Sequence, residues 1–255
     1  MRVEHAFVTG VFELKEVLMY EDTLTHYTDE LEKFLSILSL GFVYFPNERG
    51  VFRDIVGMDF DEPQCRGMVS FCDHHLDVSH RHRKKYGNFG IGVKKSWALE
   101  NGASKVLYVG KGTPVFDTFS SLFKSLMPTV ELSGNEHLDK WLSELGATQP
   151  EFAKSLGNPM YSLLLELHEF MQSDEDVADS EWRIISKLKG SWSKGMKINE
   201  VKQDMLRIAK AGLLPTLKFE TESVDYFTCL SSEKKMFLNK LPEKWQHIPV
   251  VDLIG

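Results

Sequence analysis

The stretch "YGNFGIGVKKSW", Tyr86–Trp97, carries three glycines within six residues, set among Tyr86, Phe89 and Trp97. "FGIGV" (Phe89–Val93) predicts a strand interrupted by Gly90 and Gly92. Glycine inside a strand weakens it, and it marks a place where a ligand or another backbone comes close. Directly upstream lies "HRHRKK", His80–Lys85, six basic or titratable residues in a row. Two readings follow. In one, the glycines let a ligand come close, and Arg81, Arg83 and Lys84 of the basic run meet phosphates, either of a dinucleotide or of a nucleic acid backbone. In the other, the segment is a tight hairpin corner with a solvated basic rim.

Outward from this stretch, "MVSFC" (Met68–Cys72) and "KVLYVG" (Lys105–Gly110) predict strands on either side. Earlier, Leu31, Phe34, Leu35 and Leu38 recur at helical spacing. Asp29 and Glu32 stand three apart as a capping box, and Gly41 is placed to end the helix. "FVYF" (Phe42–Phe45) predicts a strand, and residues 46–67 a long polar loop. "VFDTFSSLFKSL", "NEHLDKWLSEL" and "MYSLLLELHEFM" predict a helical block at about 114–175. "EWRIISKL" returns as a strand, and "INEVKQDMLRIAKAG" as a helix. "LLPTLKF" and "IPVVDLI" are shorter apolar pieces near the end. Strands, then helices, then strands again give an α+β class, one domain over 1–255 with the helical block inserted.

A net charge of −7 argues against a protein that coats nucleic acid nonspecifically, while leaving room for one local basic groove. Three cysteines, Cys65, Cys72 and Cys229, build no disulfide framework and suit a reducing compartment. No run of about 18 apolar residues is present. A soluble, cytoplasmic protein is the expectation. Walker A, GxGxxG and GxSxG patterns are all missing from the sequence, which removes the usual phosphate-loop, Rossmann and hydrolase readings. "CDHHLDVSHRH" offers Cys72, Asp73, His74, His75, His80 and His82, but at none of the strong zinc spacings, so no metal is expected.

Two further places carry candidate chemistry. His26, in His26-Tyr27-Thr28, precedes the first helix; it is either a half-buried turn histidine or a hydrogen-bonding ligand residue. In Glu181-Trp182-Arg183, alternation puts Glu181, Arg183 and Ile185 on one face, with Trp182 and Ile184 on the other. The pair is either a weak surface ion pair or a carboxylate placed to stabilise an oxocarbenium-like transition state.

The order His-Tyr-Thr, helix ending "ILSLGF", "YGNFGIG", "VLYVGKG" and a late "EWR" resembles the NAD-binding core of the ADP-ribosyltransferase superfamily. That resemblance implies a split mixed or antiparallel sheet with an inserted helical block, and NAD as substrate. It makes His26 and Glu181 the catalytic pair. His26 bonds the adenosine-side ribose, and Glu181 bonds the nicotinamide ribose and supports the oxocarbenium ion. Tyr27, Thr28, Gly90 and Gly92 fall in the NAD-contacting segments. Gly92 stands where the superfamily often carries Tyr, so the stacking ring comes from Tyr86, Phe89 or Trp97. "MVSFCDHHL", "YGNFGIGVKKSW", "VLYV" and "EWRII" together are also similar to the AbiGi-type abortive phage-resistance family of bacteria, whose members are described as antitoxin-like partners in phage defence. The joint implication is an antiviral transferase that passes ADP-ribose to a nucleic acid or protein acceptor. The alternative is a non-enzymatic antitoxin or sensor that uses the same fold to bind a toxin partner.

Overall fold

The computed structural model describes residues 22–46, 67–73, 80–126, 167, 170–173, 180–186 and 198–253. The chain divides into two compact units. The first comprises residues 1–47, 62–106 and 176–255, and the second 48–61 and 107–175.

The first unit is built on a mixed sheet. Its strands are β1 (Thr23–Thr28), β2 (Phe45–Pro46), β3 (Gly67–Cys72), β4 (Phe89–Lys94), β5 (Ser104–Lys105), β8 (Glu181–Ile185), β9 (Val224–Leu230) and β10 (Val250–Leu253). Among the described residues the order is β10-β9-β4-β1-β3-β8-β5, with β2 also on β3. Among the described strands of this sheet, only β9 and β10 run parallel. Helix α6 (Lys234–Lys240) lies between those two in sequence, as a parallel crossover requires.

Helix α1 (Leu31–Leu40) forms where the apolar stripe predicts it, burying Leu31, Phe34 and Leu38. Its start differs from the expected capping box. The N-cap is Glu30, which makes no side-chain cap bond, and the Asp29 carboxylate accepts from Lys33 Nζ at 2.8 Å instead. Gly41 ends the helix at φ +82°, donating its N–H to the Ile37 carbonyl.

Residues 80–86, expected as loop, are helix α2 (His80–Tyr86), followed by Gly87 at φ +103°. Helix α3 (Lys95–Glu100) leaves directly from β4. The expected strand Lys105–Gly110 is split. Ser104–Lys105 pairs with β8, whereas β6 (Leu107–Val109) belongs to the second unit. "FVYF" also divides, into a bridge from Phe42 to Leu217 and the two-residue β2. Helix α5 (Ile198–Lys210) buries Val201, Met205 and Ala209 beside Val43.

In the second unit β6 pairs in parallel with β7 (Met171–Ser173), and α4 (Pro114–Leu126) follows β6. Thr113 caps α4: its hydroxyl accepts from the Phe116 N–H at 3.3 Å, with Pro114 at the first helical position. The expected helix over 135–145, nearly all of the one over 160–171, and Cys65, His74 and His75 lie outside the described residues.

The main core lies on one face of the large sheet. Leu24, Val69, Phe71, Phe89, Ile91, Val93, Ile184 and Phe227 point into it, with Phe34, Phe42 and Phe237 from the covering segments.

Candidate functional site

Strand alternation and register sort the sequence-predicted residues between two faces. On the core face stand His26, Thr28, Phe89 and, from α3, Trp97. The His26 ring meets Phe42 at 5.0 Å and Phe71 at 5.9 Å. Phe89 stacks on Phe237 at 6.0 Å, and Trp97 packs against Phe42, Phe71 and Phe219. His26 Nδ1 donates to the Ser70 carbonyl at 2.8 Å, which leaves the neutral ring with its lone pair on Nε2. Burial pushes its pKa below the ordinary 6.5, and the Ser70 bond opposes this only in part.

The opposite face is polar and almost as deeply buried. Register aligns Glu181 with Cys72, Arg183 with Ser70, Thr25 with both Cys72 and Gly92, Gly92 with Tyr226, and Tyr27 with Gly90. Arg183 is 1% exposed. Its Nε donates to Glu181 Oε1 at 2.8 Å, and its second nitrogen to Oε2 at 3.2 Å. Ser70 Oγ adds a third bond to Oε1 at 2.7 Å. The Glu181–Arg183 pair therefore forms as the alternation predicts, but as a desolvated bidentate pair and not as a surface one.

The glycines of the opening stretch have a local explanation. A Cβ on Gly92 would lie 2.6 Å from the Tyr226 ring, and one on Gly90 would lie 2.4 Å from Thr228 Oγ1. The space they clear is filled by the chain's own side chains. Tyr226 is 2% exposed, and its hydroxyl shares a 2.6 Å hydrogen bond with Thr25 Oγ1. Phe89 and Trp97, offered as stacking rings, are committed to the core face, whereas Tyr86 on α2 is 39% exposed.

The predicted phosphate set is divided too. Arg83 is buried and Lys84 exposed; the Arg81 side chain lies outside the described residues. Helix α2 covers Tyr27, whose ring lies 5.4 Å from that of His82.

At the strand ends the chain is tightly tied. Asp73 Oδ2 accepts from Lys95 Nζ and from Trp182 Nε1, each at 3.0 Å. The Lys95 ammonium also lies over the Trp182 ring at 4.8 Å. The Asp73 N–H donates to the carbonyl of Ser180. Ser180 sits at φ +37°, the left-handed region, immediately before Glu181. Asp73, a candidate metal ligand by residue type, is thus engaged by a cation and an indole. Among the described residues no group of three or more His, Cys, Asp or Glu is disposed to hold a metal.

Sequence reasoning missed Ser70, Thr25, Tyr226 and the Asp73–Lys95–Trp182 group. Ser70, a lone hydroxyl inside the apolar strand "MVSFC", was the one available signal. The arrangement as it stands is a buried face whose polar groups bond one another. It does not bring His26 and Glu181 together, because the sheet lies between their side chains.

Among the described residues no helix is long and apolar enough to cross a membrane. Neither the curated proteins nor the solved structures provide a match to this chain. A family model described as "Putative abortive phage resistance protein AbiGi, antitoxin" matches residues 45–229, a span that includes β3, α2, β4 and β8 and nearly all of β9. The chain therefore belongs to the AbiGi family of abortive phage-resistance proteins.

Proposed function

We propose that the chain serves phage defence as the partner-binding antitoxin component of a toxin–antitoxin pair, without catalysis of its own. The observation that carries this reading is the separation of His26 and Glu181 on opposite faces of the sheet. His26 is enclosed by Phe42 and Phe71, and Glu181 is neutralised by Arg183. A carboxylate already committed to a bidentate guanidinium is poorly placed to stabilise a developing cation. The family description supports the same reading. The test is recovery of the toxic component of the defence system on the tagged full chain, together with calorimetric titration of the chain with NAD. Co-recovery, with release of toxicity when the chain is deleted, is expected, and no heat with NAD. Micromolar NAD binding together with transfer of label from NAD to an acceptor would overturn it.

One observation favours a second reading. Tyr27, Gly90, Gly92 and Glu181 do share the polar face. On that reading the sheet is ADP-ribosyltransferase-like, and NAD is cleaved at the nicotinamide–ribose bond beside Glu181. ADP-ribose then passes to a macromolecular acceptor. The NAD titration separates the two readings.

A further inference from the structure

The segment after helix α5 is tied down at both ends, yet it carries the most exposed large apolar side chain among the described residues. The Gly212 N–H donates to the Ala209 carbonyl at 2.9 Å, and the Leu213 N–H to the Ile208 carbonyl at 3.1 Å, with Gly212 at φ +72°. This is a Schellman ending, in which an apolar residue just past the glycine commonly packs back on the last turn. Leu213 occupies that place and is 78% exposed instead. Further on, Leu217 and Phe42 exchange backbone hydrogen bonds at 2.8 and 2.9 Å. The Thr216 hydroxyl donates to the carbonyl of Leu40, the last residue of α1. Pro215 stiffens the strap between these ties.

Leu40, Leu213, Leu214 and Pro215 line a groove of about 510 Å³, all of it within the first unit. Two lysines, Lys210 and Lys218, share the lining, and no carboxylate does. Lys218 Nζ donates to the Leu40 carbonyl at 2.7 Å, a neutral partner that fixes the ammonium without cancelling its charge. The nearest carboxylates along the chain, Asp204 and Glu220, are engaged by Arg207 and Lys244. An apolar groove of positive charge thus stands in a chain of net charge −7.

We infer that this groove docks a segment of the toxic partner that carries an apolar side chain flanked by carboxylates, an inference that rests on the antitoxin reading. The apolar side chain packs against Leu40 and Leu213, and the carboxylates meet Lys210 and Lys218. Charge complementarity selects the acidic flanks, and with them the partner. The exposure of Leu213 favours a macromolecule, which covers it from outside; a small molecule held in the groove leaves its outer side in water. No aromatic ring lines the groove, so the bases of a nucleic acid find no stacking platform there. A lipid surface is flat and leaves the groove behind Leu213 unfilled. Because the strap is already tied in place, little order has to be imposed on it by binding.

The test is titration of the full chain with the purified toxic component of its defence system, at low and at moderate salt. Leu213→Ser should weaken binding about tenfold, the loss expected on truncating an apolar anchor. Lys210→Glu should weaken it about fivefold at low salt and by less at moderate salt, where screening removes the charge contribution. Lys235→Glu, at an exposed lysine of α6 outside the groove, makes the same change in net charge and should bind like the wild type. All three positions are exposed, and matched melting curves check that the variants fold. Failure of the wild-type chain to bind the toxic component would overturn the antitoxin reading and this inference together. Binding that Leu213→Ser leaves unchanged, or that Lys235→Glu lowers as much as Lys210→Glu does, would overturn the inference alone. So would displacement of the toxic component by phosphatidylglycerol vesicles, which would make Leu213 and the two lysines a lipid contact.

Discussion

His26 and Glu181 are tied to the same residue from opposite faces of the sheet. The Ser70 carbonyl accepts from His26 Nδ1 at 2.8 Å, and the Ser70 hydroxyl donates to Glu181 Oε1 at 2.7 Å. One strand position thus joins the hydrophobic core to the buried ion pair, and substitutions on the two sides have distinct signatures.

Glu181→Gln should lower stability by about 3 kcal/mol. It removes the carboxylate charge that the Arg183 guanidinium, 1% exposed, meets in a bidentate pair. The amide oxygen still accepts one N–H, which keeps the loss at the lower end for a broken buried pair. Replacing both partners by Leu and Met should recover part of it, because the cost lies in breaking one side of a buried pair. Urea denaturation of the three variants measures this. A loss below about 1 kcal/mol would mean the pair behaves as a solvated one.

Stability should fall as pH drops below 6.5. The folded His26 pKa is lowered by burial, so the unfolded chain takes up a proton first. The contribution is full above pH 6.5 and is lost progressively as pH falls towards the folded value. His26→Gln keeps a donor near the Ser70 carbonyl and removes the titration. Denaturation midpoints between pH 7.5 and 5 should have a flatter slope in that variant than in the wild type.

Gly92→Ala should destabilise by about 1–3 kcal/mol, the cost of overpacking against the Tyr226 ring. Combined with Tyr226→Ala it should cost less than the sum of the two single changes. That sub-additivity is the mark of a direct steric contact and is read from a double-mutant cycle.

Trp182→Phe should cost about 1.5 kcal/mol, because it removes the indole N–H that Asp73 accepts. Lys95→Met should cost a similar amount and add little on top of Trp182→Phe, since both act on one carboxylate oxygen.

Cys72 and Cys229 should resist alkylation in the folded protein and react on denaturation. They are 1% and 0% exposed, and burial pushes the Cys229 thiol up to about 11. Peptide mapping after brief alkylator treatment reads both sites.

Helix α1 was legible because it has one buried side. Leu31, Phe34 and Leu38 marked α1 by their spacing, and alternation in "EWRII" placed Glu181 and Arg183 together. Strand β9 was missed because Tyr226 to Cys229 are buried in succession on both faces, which erases the period of two. Helix α2 was missed for the opposite reason. It has no apolar stripe, and its helicity rests on tertiary contact with Tyr27 and on burial of Arg83. The glycines were read correctly as clearance, but what they clear space for is Tyr226 and Thr228, residues more than 130 positions away. No local pattern encodes a partner at that distance.

The sheet interleaves strands from distant parts of the chain: β3 pairs with β8, and β4 with β9. Covalent continuity through residues 107–175 therefore contributes little to holding its two halves together once it has formed. A chain cleaved within that span should remain one particle on gel filtration, and the two separated fragments should reconstitute the sheet on mixing. Folding of the intact chain, by the same token, waits on the meeting of segments more than 100 residues apart, which makes sheet closure slow relative to formation of the shorter-range β1–β4 pair.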